Sequence, residues 1–114
     1  MGLLDKMLGR DVDDFAKELA QMVAKRFPPA LEKSPERRVS PNRITKVLED
    51  ALEKAADYGK SRRLGMYKKA RLANAFKWQL KDLGYSDNFI EVATEGLVVY
   101  LTRGPAKEQS KPSG

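Results

Sequence analysis

The sequence predicts an all-α protein, a small bundle of three to four antiparallel helices. Several stretches carry apolar residues at steps of three and four, the spacing that gives a helix one buried face. Helix-capping residues or helix-stopping prolines and glycines stand at the ends of these stretches. The chain has 114 residues, which suits one domain built around one core.

The first predicted helix spans residues 11–27. Its apolar residues recur at helical spacing: Val12, Phe15, Leu19, Met22, Val23 and Phe27. Aspartates in the first turn suit the positive end of the helix dipole, and Pro28 and Pro29 end the helix. Residues 28–40 mix prolines with charges and are predicted to form a surface connection.

The second predicted helix, 41–58, has the clearest pattern in the chain. Ser40 is a favourable N-cap residue, and Pro41 stands at the first helical position. Apolar residues then keep helical spacing up to Gly59, which we expect to end the helix. A loop over residues 59–63 should follow.

The third predicted helix spans residues 64–83. Its periodic residues are Tyr67, Ala70, Ala73, Phe76, Leu80 and Leu83. Gly84 stands where a C-terminal cap belongs, whereas Gly65 makes the position of the first turn less defined. The sequence therefore defines the first residue of this helix only to within two or three positions.

The last element, residues 89–102, is ambiguous. It is rich in β-branched and aromatic residues, which favour strands, and a β-hairpin turning at residues 95–96 is the alternative structure. A capping sequence at residues 86–88 and a stop at residues 103–105 favour a helix instead. We expect the helix, because an isolated two-stranded hairpin is only marginally stable.

The predicted domain organisation is a single helical domain over residues 11–103. Residues 1–10 form an amphipathic N-terminal segment, and residues 104–114 have the composition of a disordered tail. The N-terminal segment lacks the continuous apolar run of a signal peptide, and no stretch reaches the about 20 apolar residues of a membrane span. We therefore expect a cytoplasmic protein without a transmembrane segment.

The composition argues against catalysis. The sequence contains no histidine and no cysteine, so it lacks the commonest general base, the commonest transition-metal ligand and the thiol nucleophile. It also lacks the glycine-rich loops that bind nucleotide phosphates. We predict a protein that is not an enzyme and has no cofactor and no metal site.

Positive charge is concentrated in residues 60–81. This segment holds eight basic residues and no acid, within a chain of net charge +6. The basic residues are Lys60, Arg62, Arg63, Lys68, Lys69, Arg71, Lys77 and Lys81. Several cations acting together attract phosphate, because they release counterions from a polyanion. The sequence therefore offers a candidate site for DNA or RNA.

One aromatic residue, Trp78, lies within this basic segment and could stack on a base. The alternative is that Trp78 is a partly buried packing residue. The basic residues, in turn, could be balanced in space by the acids of the second helix: Glu49, Asp50, Glu53 and Asp57. The spatial relation of these two helices decides how much positive charge faces solvent.

The leading functional hypothesis is a non-catalytic helical interaction or regulatory module. Its partner would be another protein or a second copy of itself. The predicted contact residues are the dense apolar group Val98, Val99, Tyr100 and Leu101, since uncovered apolar patches mark interfaces. The alternative hypothesis is contact with the phosphate backbone of nucleic acid through the basic segment and Trp78.

Overall fold

The computed structural model describes residues 9–34 and 39–105. Over these ranges the chain forms five helices and no strand, so the all-α prediction is confirmed. The helices are α1 (Arg10–Arg26), α2 (Pro29–Glu32), α3 (Pro41–Ser61), α4 (Met66–Leu83) and α5 (Asp87–Arg103). Apart from two residues each, the predicted N-terminal segment and tail lie outside the described residues.

The last element is the helix α5, and the hairpin alternative is not supported. Ser86 caps the helix, its hydroxyl accepting a hydrogen bond from the Phe89 backbone N–H at 3.2 Å. Its buried residues follow helical spacing: Phe89, Ile90, Ala93, Leu97, Tyr100 and Leu101. Burial of this face against two other helices outweighs the strand preference of its β-branched residues.

α3 continues past Gly59, where we expected it to end. A Cβ atom at this glycine would lie 3.1 Å from the Leu101 side chain of α5, so the glycine permits close contact between the two helices. The chain leaves α3 at Arg63, which adopts a left-handed conformation with φ of 51°. The connection to α4 is therefore only residues 62–65.

The segment predicted as a surface connection contains the short helix α2. Pro29 occupies its first turn, where a missing backbone N–H does no harm. Glu32 then reaches the start of α5, where its carboxylate accepts a hydrogen bond from the Ser86 backbone N–H at 2.8 Å and another from the Ser86 hydroxyl. α2 thus links the end of α1 to the start of α5.

The four long helices pack as a ring in the order α1, α4, α5, α3. Two contacts give the direction of α1 relative to α4: Asp13 meets Arg71 near the start of both helices, and Phe27 meets Tyr85 just beyond their ends. α1 and α4 therefore run in the same direction. The predicted arrangement, in which neighbouring helices are antiparallel, is not confirmed.

The core lies inside this ring and draws on all four long helices. Its largest fully buried side chains are Phe76, Leu19, Leu72, Leu80, Leu97, Val12, Val23 and Val47. An aromatic cluster closes one end, where Phe27, Tyr85 and Phe89 pack with ring centroids 4.6 to 6.1 Å apart. The Tyr85 hydroxyl donates a hydrogen bond to the Phe27 backbone carbonyl, which joins α1 to the connection between α4 and α5.

The buried hydroxyl of Tyr85 predicts a loss of stability at alkaline pH. Burial, with a smaller effect of Glu32, raises the pKa of Tyr85 to about 12. The folded state thus keeps the proton where the unfolded state, near pKa 10, has lost it. The stabilisation is complete below about pH 10 and disappears as the pH rises towards 12.

Urea unfolding of the native protein and of Tyr85→Phe, from pH 8 to pH 11.5, measures this effect. The variant loses the hydrogen bond, so its free energy of unfolding is lower at pH 8 by about 1 kcal/mol. Its further decline above pH 10 should be shallower than that of the native protein, because it has no phenol to ionise here. Parallel curves would contradict the role assigned to Tyr85.

Candidate functional site

The five basic residues nearest the connection between α3 and α4 gather at one end of the molecule, which we call the cationic end: Lys60, Arg62, Arg63, Lys68 and Lys69. The first three side chains are exposed and the last two are half-buried. None of the five has a carboxylate within 4.0 Å in residues 9–34 and 39–105. Arg62 lies against the Tyr58 ring, with its guanidinium carbon 5.1 Å from the ring centroid.

The acids of α3 do not form ion pairs with this end in the described part of the chain. Asp50 binds Arg26 of α1 at 2.6 Å and Lys46 of its own helix at 3.1 Å. Hydrogen bonds from these two cations lower the pKa of Asp50. The packing order explains this pairing, because α3 adjoins α1 and α5 in the ring. The sequence left open whether the acids of α3 balance the charge of the basic segment. In the described residues they form no direct ion pair with it.

A shallow depression at the cationic end brings in one further cation from α5. It is lined on its polar side by Lys60, Lys69 and Arg103, with Asp57 as the single acid. α5 ends beside α3 because Leu101 packs on Gly59. The fold thus adds Arg103 to a charge cluster that the sequence placed only in residues 60–81.

Arg71 is engaged in a different way from its basic neighbours. Its Nε and Nη2 atoms donate to the two carboxylate oxygens of Asp13, at 3.0 and 2.8 Å. Its Nη1 atom donates to the Tyr67 hydroxyl at 3.3 Å. The hydrogen bonds with Asp13 and then Tyr67 raise the pKa of Arg71. The carboxylate of Asp13 thus largely balances the positive charge of Arg71, and the pair links α1 to α4.

Gly9 makes room for that ion pair. It adopts a left-handed conformation with φ of 83°, and a Cβ atom here would lie 2.7 Å from Cδ of Arg71. Any other residue would need both a strained backbone and a displaced arginine. Sequence reasoning missed the contacts of Gly9 and Asp13, because no local pattern in the sequence indicates that they meet Arg71, which lies 58 residues beyond Asp13.

Two aromatic side chains stand out on the face of α4 opposite the core. Tyr67 is 68% exposed and Trp78 is 50% exposed. Trp78 is therefore partly buried, as the packing alternative expects, and the other half of its surface faces solvent. Between them lies a shallow groove lined by Asp13, Tyr67, Ala70, Arg71, Asn74, Ala75, Trp78 and Gln79. Lys81 places its ammonium 5.1 Å from the centroid of the Trp78 ring. We call the residues Tyr67, Asn74 and Trp78 the α4 ridge.

The last two basic residues of the segment face acids of α5. Lys77 and Lys81 line a cleft between α4 and α5 whose other wall carries Asp87, Glu91 and Glu95. In the described residues these charges form no ion pair within 4.0 Å, yet the opposite charges lower the potential of this part of α4. The strongest unbalanced positive charge therefore stays at the cationic end.

The four apolar residues predicted to bind a partner lie on different sides of α5. Tyr100 and Leu101 belong to the core with 8% of their surface exposed, and Val99 is half-buried. Only Val98 is exposed, at 44%. The four residues do not form one surface because consecutive helical positions point in directions about 100° apart. Partner binding at Val98 stays a prediction.

A different apolar surface lies between α3 and α5. Ile44 and Leu48 of α3 are half-buried, and Val92 of α5 is 53% exposed. Together with Phe89 and Pro41 these residues line a shallow groove. Sequence reasoning had no signal for this surface, because its two walls are separated by more than 40 residues.

Comparison of the chain with protein-family models, curated proteins and solved structures finds no significant match. Among the described residues, no helix is both long enough and apolar enough to cross a bilayer. The same residues contain no cluster of three or more acidic side chains arranged to hold a metal ion.

The pair between Arg71 and Asp13 gives a test of the site geometry. Asp13→Asn should lower the free energy of unfolding by at most about 1 kcal/mol in low salt, since both side chains are a third or more exposed. In 1 M salt the loss should shrink because screening weakens the pair. Urea unfolding at both salt concentrations measures the difference.

Asp14→Asn is the matched control for this experiment. Asp14 is adjacent, carries the same charge just beyond the first turn of α1, and has no ion pair in the described residues. Its substitution changes the interaction with the helix dipole but no specific contact. An equal effect of both variants would show that the pair contributes nothing beyond the dipole.

Proposed function

We propose that this chain is a non-catalytic module that binds the phosphate backbone of nucleic acid through its cationic end. The observation that carries the proposal is that, in the described residues, no carboxylate lies within 4.0 Å of Lys60, Arg62, Arg63, Lys68 or Lys69. Unpaired cations have more to gain from a phosphate than cations already bound to a carboxylate.

The placement of these cations supports contact with a backbone rather than base reading. They stand on the last turn of α3, on a four-residue connection and on the first turn of α4. Such a cluster presents charge without a rigid frame of donors aimed at base edges. Phosphate contacts need only cations at the right density, which this end supplies together with Arg103.

The conformation of Arg63 is a further support. A residue other than glycine in the left-handed region costs about 1 kcal/mol, and glycine is the usual residue at such a helix end. An arginine here places a positive charge at the tip of the connection at some expense of local stability. Such an exchange is typical of functional positions.

The proposal is tested by binding of a labelled mixed-sequence DNA and RNA pool, followed by fluorescence anisotropy across a salt series. If all five cations contact phosphate, the logarithm of the affinity should fall with the logarithm of the salt concentration with a slope of about −3.5 for single strands. The triple variant Arg62→Glu, Arg63→Glu, Lys68→Glu should reduce binding at least about 100-fold, because each lost contact is replaced by repulsion.

A control triple variant separates the site from net charge. Lys17→Glu, Lys33→Glu and Arg43→Glu change the charge of the chain by the same amount at exposed positions outside the cationic end. Its affinity should fall much less. Equal loss in both triples would contradict the site, and no binding by the native protein at low salt would contradict the function. Anionic vesicles in place of nucleic acid distinguish a lipid surface as the target.

Arg63→Gly should weaken binding of nucleic acid without lowering the stability of the protein. Glycine relieves the left-handed conformation, so the free energy of unfolding should not decrease. The affinity for nucleic acid should fall several-fold because one cation is lost. Urea unfolding and anisotropy on the same preparation measure both quantities.

A second candidate function is self-association through the groove between α3 and α5. The specific observation is that Val92, 53% exposed, lies beside the half-buried Ile44 and Leu48. A second copy that covers this groove would remove apolar surface from water. This candidate keeps the interaction module of the first hypothesis but moves its contact surface away from residues 98–101.

Light scattering coupled to gel filtration tests the second candidate. The native protein should show a mass of twice 12.8 kDa at high concentration. Val92→Lys should return it to a monomer, since a buried lysine opposes the contact, whereas Val98→Lys at 44% exposure should leave the dimer intact. The reverse result would restore the interface first predicted at Val98. A monomer at every concentration would remove both.

A further inference from the structure

We infer that the α4 ridge binds the bases of single-stranded nucleic acid, with Tyr67 and Trp78 as two stacking platforms. This inference rests on the proposed function, because it assigns the bases of the same ligand to a neighbouring surface. It adds the class of nucleic acid, a single strand, and the direction in which the strand lies, along α4 from the cationic end.

The first argument is the exposure of the two rings. Tyr67 and Trp78 remain 68% and 50% exposed although neighbouring residues on the other side of α4 are fully buried. Eleven residues separate the two rings, so they project from nearly the same side of the helix. Large exposed aromatic rings next to cations are the usual means of binding single strands, because every base has a face that can stack.

The second argument is the distribution of charge along α4. The cationic end lies next to Tyr67, and Lys81 lies against the ring of Trp78. Between the two rings, Arg71 is neutralised by Asp13. A phosphate is therefore attracted beside the rings rather than into the groove between them, which leaves the groove to the uncharged bases.

The third argument is the chemistry of the groove wall. Asn74 and Gln79 line it with amide groups that can both donate and accept hydrogen bonds. Such groups suit the edges of bases without selecting one base. The remaining lining residues, Ala70 and Ala75, are small and leave the groove open beside the rings.

The spacing of the rings sets a length for the ligand. Eleven residues of α-helix correspond to a rise of about 16 Å. At about 3.4 Å per nucleotide in a stacked strand, about five nucleotides bridge the two rings. Bases within a duplex are already stacked on each other, so a double strand offers the two rings no free base face along its length.

Trp78 is the sole tryptophan of the chain, so its fluorescence reports on this surface directly. The experiment compares oligothymidylates of two to ten nucleotides with abasic strands of equal phosphate number and with a ten-base-pair duplex. Anisotropy of a labelled ligand gives the affinity, and quenching gives the contact with Trp78. We expect quenching only by the base-bearing single strand, and affinity about tenfold above that of the abasic strand.

The advantage over the abasic strand should grow until about six nucleotides and then level off, because that length reaches both rings. Trp78→Ala and Tyr67→Ala should each reduce this advantage, and Trp78→Phe should retain most of it. Leu83→Ala, which removes exposed apolar surface from the end of α4 outside the α4 ridge, is the control and should change nothing.

The possible results separate this inference from the function on which it rests. Equal affinity for base-bearing and abasic strands, without quenching, would overturn the stacking ridge and leave backbone binding intact. A duplex that binds as tightly as the single strand and quenches Trp78 equally would also overturn it. No binding of any of the three ligands at low salt would contradict both proposals.

Discussion

The side-by-side packing of α1 and α4 in the same direction is the contact on which the rest of the structure depends. It is the most extensive contact between helices, and its ends are held by polar bonds of Arg71 with Asp13 and of Tyr85 with Phe27. Because α4 has α1 on one flank and α5 on the other, α3 lies across the ring from it. In the described residues the acids of α3 accordingly form no ion pair with the basic residues of α4, and only Asp57 lines the same depression as Lys69.

Which charged residues form ion pairs between helices therefore depends on which helices are neighbours in the ring, and not on closeness in the sequence. Asp50 lies close in sequence to the cationic end, yet it binds Arg26 on α1. Arg71 lies inside the basic segment, yet Asp13 neutralises it. Lys60, Arg62, Arg63, Lys68 and Lys69 are among the cations without an ion pair in the described residues, and they lie together around the connection between α3 and α4.

Close contacts at glycine support the same arrangement. Gly59 admits Leu101, which brings the end of α5 and its Arg103 to the cationic end. Gly9 admits the side chain of Arg71 on its way to Asp13. In both cases a Cβ atom would crowd a side chain from a distant helix; at Gly59 the glycine acts through this tertiary contact alone, whereas Gly9 also adopts a left-handed backbone at the start of α1. Reading Gly59 as a helix stop failed for this reason.

By itself, the sequence determined the all-α class, the approximate span of each long helix and the basic character of residues 60–81. These follow from periodicity, capping and composition, which act over a few neighbouring residues. Only the tertiary structure decided that Tyr100 and Leu101 belong to the core, that Val92 and Trp78 face outward, and which cations keep free charge. The physical reason is that burial and ion pairing depend on which helices become neighbours, and that choice is made by the packing of the whole core.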